Sequence, residues 1–170
     1  MPHRPAELQS LRHNHRACVK NALERAKEVC KKNSVRFTEQ RQKVLEIIWH
    51  SHKPILAYDI LKILRQEKSN AEPPTVYRAL DFLLNNHLIH KIESLNAYIG
   101  CDYSGEHHIS QFLICINCKQ ITEMEDDEVA RLITKKSSDH GLEAKHQTVE
   151  VMGLCQNCNA QNCKGQIHRK

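Results

Sequence analysis

The chain has 170 residues with 25 Lys+Arg against 20 Asp+Glu, a formal net charge of +5, 40% hydrophobic residues and 5% aromatic ones. That length suits one ordinary domain or two small ones with thin cores, and the regular recurrence of Leu, Ile and Val excludes a disordered chain. No stretch reaches the roughly twenty apolar residues of a membrane span, and Arg4, Arg12, Arg16 and Lys20 are followed by no apolar core of a signal peptide.

A cytoplasmic protein is therefore expected, in which the eight cysteines serve as thiolate ligands more readily than as disulfides. The charge is uneven: residues 1–95 hold 17 basic against 10 acidic side chains, and residues 96–170 hold 8 against 10. A basic first half beside a mildly acidic second half implies divided labour.

In chain order, residues 1–16 read as a flexible tail. A first helix is expected over 17–32, with Val19, Leu23, Ala26 and Val29 or Cys30 at three-and-four spacing. Thr38 is a good N-cap for a second helix through Val44, Leu45, Ile47, Ile48 and Trp49. Residues 57–65 place Ile60, Leu61 and Leu64 on one side of a third. Pro74 suits the first turn of a fourth, whose buried stripe is Val76, Ala79, Leu80, Leu83 and Leu84 and whose outer face carries Thr75, Tyr77, Arg78 and Asp81. Two extended runs, 88–93 and 97–101, then read as a hairpin, and helices followed by such a wing give the order of a winged helix-turn-helix.

Residues 102–106 read as a polar hinge. Beyond it, strands are expected over 110–115 and 120–124 around a Cys-x-x-Cys turn, a helix over 126–140 ended by Gly141, and a strand over 142–151 before a second Cys-x-x-Cys.

Cys115-x-x-Cys118 and Cys155-x-x-Cys158 supply four thiolates from two turns, a spacing that closes on one tetrahedral zinc at about 2.3 Å per Zn–S bond. Such a site has no open coordination position, so it serves the fold. A second set, His90, Cys101, His108 and Glu123, offers nitrogen, sulfur and oxygen donors at strand ends around the hinge. One ion held by all four would tie the wing to the second domain. The ordinary alternative is a solvated His90, a small core Cys101 and a surface Glu123.

The run Pro73-Pro74-Thr75-Val76-Tyr77-Arg78-Ala79-Leu80 strongly resembles the recognition helix of the ferric uptake regulator family. The resemblance spans residues 17–158 and includes Arg36-Phe37-Thr38-x-Gln40-Arg41, the wing, both Cys-x-x-Cys turns and Gly153-Leu154-Cys155. Within the family, Ala57-Tyr58-Asp59-Ile60-Leu61, His90-Lys91-Ile92-Glu93-Ser94 and Cys101 look like the zinc uptake regulator branch. A His-His-Asp-His run near the first Cys-x-x-Cys, usual in iron-sensing relatives, is absent from 109–114.

The resemblance implies an α+β fold, a winged helix-turn-helix domain (17–101) followed by a small α/β dimerisation domain (107–170) with the four-cysteine zinc site. It implies a homodimeric repressor of zinc-uptake genes, with zinc as corepressor and a double-stranded DNA operator as partner. About two zinc ions per chain are expected, a structural one on Cys115, Cys118, Cys155 and Cys158 and a regulatory one on His90, Cys101, His108 and Glu123. His107 and Glu125 are rival ligands, set second by their distances from Cys115 and Cys118. His146 stands where some relatives place a third site but lacks its partner histidine.

On the fourth helix, Arg78 can give a bidentate pair of donors to guanine, and Tyr77 can pack on a thymine methyl or touch phosphate. Thr75 can donate to a phosphate, and Tyr58 is a further DNA contact by resemblance. The alternatives are a Tyr77 that seals the helix against the wing and a solvated Arg78. Neither membrane nor small-molecule substrate is implied, and no enzyme: the His-Glu-x-x-His and His-x-Glu/Pro-Cys-x-x-Cys patterns of zinc hydrolases and deaminases do not occur. Sensors of iron, manganese or peroxide, a zinc-ribbon interaction module and a zinc hydrolase are the rival functions.

Overall fold

The computed structural model describes residues 15–51, 53–67, 71–102, 109–145 and 147–165. Its first part consists of helices α1 (His15–Lys32), α2 (Glu39–His50), α3 (Ala57–Glu67) and α4 (Pro73–Asn85). Thr38 caps α2 through its side chain, which accepts from the Arg41 N–H at 3.4 Å. Pro73 and Pro74 open α4, where a missing N–H costs no intrahelical bond. Val76, Ala79, Leu80 and Leu83 of α4 are buried with Val44, Leu45 and Ile48 of α2 and Ile60 and Leu64 of α3. Leu84, expected in that stripe, is only partly buried.

The wing is an antiparallel pair, β1 (Ile89–Ile92) and β2 (Ala97–Gly100), with His90 opposite Ile99. A single 3-10 turn (Glu93–Leu95) joins the strands, and Asn96 follows it at φ 47°, a left-handed conformation that asparagine tolerates better than most residues. Ile55 and Tyr98 exchange backbone hydrogen bonds at 2.9 and 2.8 Å, fastening the wing to the segment before α3.

The second part is a three-stranded sheet in the order β4-β3-β5. Strand β3 (Ser110–Cys115) pairs antiparallel with β4 (Ile121–Met124) and parallel with β5 (Thr148–Gly153). The crossover contains α5 (Asp127–Asp139), whose first turn is capped by the Asp126 carboxylate accepting from the N–H groups of Glu128 and Val129. The strand expected from 142 begins only at Thr148. Gly141, at φ 75°, and Leu142 send their N–H groups back to Ser138 and Ser137 at 2.9 Å to close α5, so Leu142 is committed to a helix end.

A final helix, α6 (Gln156–Gly165), was not expected from the sequence. It is rich in amides with no apolar stripe, and its first turn carries Cys158 into the cluster of four cysteines.

Ile92 of β1 is buried with Phe112 and Ile114 of β3, and Leu95, Ile99 and Ile121 pack around them. The wing thus shares a small core with the sheet. At its tip, the Glu150 carboxylate of β5 accepts from the N–H groups of Glu93 (2.7 Å) and Ser94 (3.1 Å). No described helix is long and apolar enough to cross a membrane. Of the expected hinge, Asp102 is described and 103–106 lie outside the described residues.

Candidate metal centres and nucleic-acid surface

The turn after β3 carries Cys115 and Cys118, and the end of β5 leads to Cys155 and Cys158. Because β3 and β5 run parallel in register, from Ser110 with Thr148 to Cys115 with Gly153, the two cysteine turns meet at one end of the sheet. All four sulfurs lie within 4.8 Å of one another, with Cys118 and Cys155 3.8 Å apart.

The Cys155 N–H points at Cys115 Sγ from 3.4 Å, and with the N–H groups of Cys118 and Asn117 it holds the Cys115 thiol down to about 6. Cys158 is pushed up to about 12: its contact with the Asn117 side chain opposes the rise, but neighbouring Cys155, burial and the other two thiols outweigh it. Backbone N–H groups thus favour a thiolate at Cys115, while the neighbouring thiols oppose one at Cys158. This donor set fits a closed tetrahedral zinc.

The second set converges across the junction. His90 on β1, Cys101 just past β2 and Glu123 on β4 bring their ligand atoms within 4.8 Å of one another. His90 Nε2 lies 2.8 Å from Glu123 Oε1, with both side chains nearly enclosed. On the far side of the ring, His90 Nδ1 is 3.1 Å from Ser110 Oγ. An Nδ1–H donated to that hydroxyl leaves the Nε2 lone pair facing Glu123 and Cys101, the tautomer that a metal requires. Phe112 meets the His90 ring edge-on at 5.2 Å and closes one side.

Cys101 is fully buried, and its N–H is fixed to the Leu88 carbonyl at 3.2 Å. The Asp102 N–H donates to Glu123 Oε2 at 3.3 Å, so the two domains share a hydrogen bond beside the ligands. His108, the fourth expected ligand, lies outside the described residues, as do His107 and His146; the rival Glu125 is exposed. Ser110, unremarkable in sequence, is the neighbour that the sequence reading missed. Its role appears only when β3 is set beside β1.

On the other part of the surface, Tyr77 (53% exposed), Arg78 and Thr75 stand on the outer face of α4, and Tyr58 (70% exposed) stands near the start of α3. The exposure of Tyr77 disfavours the reading in which it seals the helix. Two nearby cations of α2 are instead engaged within the fold. Arg41 lies over the Phe82 ring, 3.5 Å from its centroid, and Lys43 pairs with Glu67 (2.9 Å) and Glu46 (3.2 Å). Arg41 thereby braces α4 from α2.

A winged-helix reading head joined to a small sheet, with donor sets for two metals, defines a metal-binding protein of the DNA-reading type. The model of the ferric uptake regulator family matches residues 32–152, and the chain belongs to that family.

Among curated relatives, the zinc uptake regulation protein of Escherichia coli (strain K12) is 37% identical over 137 residues, 80% of each chain. A zinc uptake regulator complexed with zinc and DNA superposes with a TM-score of 0.81 at 35% identity, covering 85% of this chain and 97% of that one. Holo XcZur gives 0.77 at 37% identity, covering 82% and 98%. Apo XcZur, at the same identity and with 84% and 99% covered, gives 0.50. The described arrangement is therefore nearer to that of the holo form than to that of the apo form.

Proposed function

We propose that this chain is a zinc-responsive DNA-binding transcriptional repressor of zinc-uptake genes, acting as a cytoplasmic homodimer. About two zinc ions per chain serve it, one structural on Cys115, Cys118, Cys155 and Cys158 and one regulatory. The observation that carries the reading is the convergence of His90, Cys101 and Glu123 from both sides of the junction. The zinc-and-DNA complex of a similar regulator and the likeness to holo XcZur support it.

Zinc, when bound, supplies a divalent cation shared by donors of both domains, with His108 as the expected fourth. The chain does the rest. Ser110 orients the imidazole, Leu88 fixes the Cys101 backbone, and the Ile92–Phe112–Ile114 core excludes water from the joint. With the joint closed, α4 is held at one angle to the sheet, and the open arrangements lose population. Arg78 then reads base edges, Tyr77 and Tyr58 add contacts to base or backbone, and Thr75 reaches phosphate.

Leu113 on β3 and Val151 on β5 are register partners, 41% and 51% exposed, and Leu132 of α5 is 57% exposed. These exposed apolar side chains support pairing of two copies through the second domain. The paired reading heads would then face successive major grooves.

The direct test measures operator binding by wild type and Cys101→Ser across buffered free zinc at fixed salt. The wild type should tighten as zinc rises, and the variant should stay near its zinc-poor affinity. Superimposable zinc dependence in the two proteins removes the junction site from the mechanism.

A further inference from the structure

The short segment that carries Cys101 is gripped on both sides by the first two helices. On one side, Gly100 lies against the indole of Trp49 at the end of α2. A Cβ added there would stand 2.4 Å from Trp49 Cε2 and 2.6 Å from Nε1, so only glycine admits this approach. On the other side, Arg25 of α1 donates from Nη1 to the Asp102 carbonyl at 2.6 Å, while its guanidinium carbon stands 5.7 Å from the centre of the Trp49 ring. The same Asp102 gives its N–H to Glu123. One peptide segment therefore links the α1–α2 pair, the thiol of Cys101 and the carboxylate of Glu123.

We infer that Arg25 is a positioning residue for the junction metal, lying over the Trp49 ring and holding the Asp102 carbonyl so that Cys101 and Glu123 converge. The inference rests on the regulatory role proposed for that site. Arg25 is not itself a candidate ligand; its guanidinium acts through a backbone carbonyl one residue beyond Cys101. A permanently charged guanidinium suits both tasks at once, a cation-π contact with an indole and donation to an oxygen. Since α2 also packs on α4, displacement of the 100–102 segment is felt by the reading head, and zinc occupancy is felt at Trp49.

Trp49 is the single tryptophan of the chain, so its fluorescence reports on this place alone. The experiment titrates zinc against a competing chelator in the full-length protein with its four-thiolate site loaded. Zinc occupancy and Trp49 emission are followed separately in wild type, Arg25→Ala, Arg25→Lys and Cys101→Ser. Wild-type emission should shift in step with occupancy of the weaker site.

Arg25→Ala should weaken that site by about tenfold, the lower end of what the loss of an outer partner of a metal site costs, and leave the four-thiolate zinc in place. Arg25→Lys, which keeps a charged donor but not the guanidinium fork, should recover part of the loss, and it decides the matter if the alanine variant does not fold. Wild-type zinc affinity in Arg25→Ala, or in Arg25→Lys should the first be unfolded, overturns the inference, as does emission indifferent to zinc. If Cys101→Ser alone loses the weaker zinc, only the role of Arg25 falls. If Cys101→Ser also binds it normally, the regulatory reading itself falls.

Discussion

At the scale of single residues, the same physical rule separates the side chains that hold the molecule together from those left for a partner: an expensive group is either satisfied or displayed. Arg41 is spent on the Phe82 ring and on the Arg36 carbonyl, and Lys43 on two carboxylates. Arg78 is displayed on α4 beside the exposed Tyr77. A guanidinium offered on a recognition helix is the usual reader of guanine O6 and N7. Arg78→Ala should therefore weaken binding to the specific site by about 1–3 kcal/mol and flatten base preference at one position, while binding to unrelated DNA changes little. Competition binding with single-base operator variants at fixed salt checks this; unaltered discrimination would move the readout to another side chain.

At the scale of elements, the wing serves two masters, since its strands close the core of the helical part while its tip is held by the sheet. Glu150 makes that second attachment. Burial would raise its pKa, but the Ser94 hydroxyl and the N–H groups of Ser94 and Glu93 outweigh burial and hold the carboxyl below its ordinary 4.5. A group whose folded pKa is depressed adds stability above its unfolded value and loses it as pH falls through the folded one. Wild type should accordingly lose stability relative to Glu150→Gln as pH drops from the ordinary glutamate range downward. Because the carboxylate is only partly enclosed, the difference at neutral pH should stay below about 1 kcal/mol. Parallel denaturation curves of the two proteins from neutral pH to acid check the sign.

The same elements show what a sequence can disclose. Helices α2, α3 and α4 were legible because burial follows their three-and-four spacing and because Thr38 and the Pro73–Pro74 pair mark their starts. The four-thiolate set was legible because two-residue spacing already brings each pair together, and parallel register had only to join them. Helix α6 was not legible, since it hangs from a metal turn instead of an apolar face. Nor were Ser110, Glu150 or the Arg25–Trp49 contact, which bridge 20, 56 and 24 positions of sequence respectively and exist only through the docking of wing, sheet and first helix.

At the scale of the whole molecule, the proposed function gives the two donor sets different work. The four-thiolate set is built from the second domain alone, both cysteine turns lying at the same end of one sheet, so a metal held there would stabilise that sheet whatever the other domain does. The junction site draws on both domains, and its donors converge only when wing and sheet are docked. On the proposed function, zinc bound there would favour the arrangement that also reads DNA, and such coupling is reciprocal. If saturating the weaker site tightens the operator complex tenfold, about 1.4 kcal/mol of coupling is present, and operator DNA must tighten zinc by the same factor. The expected outcome is a tenfold shift, to lower free zinc, of the weaker-site midpoint when saturating operator is added to the protein in a chelator-buffered titration. Scrambled DNA at the same concentration should move it far less. An unmoved midpoint alongside zinc-dependent operator binding would violate the linkage for this pair of sites, and the zinc that governs DNA binding would then have to sit elsewhere on the chain.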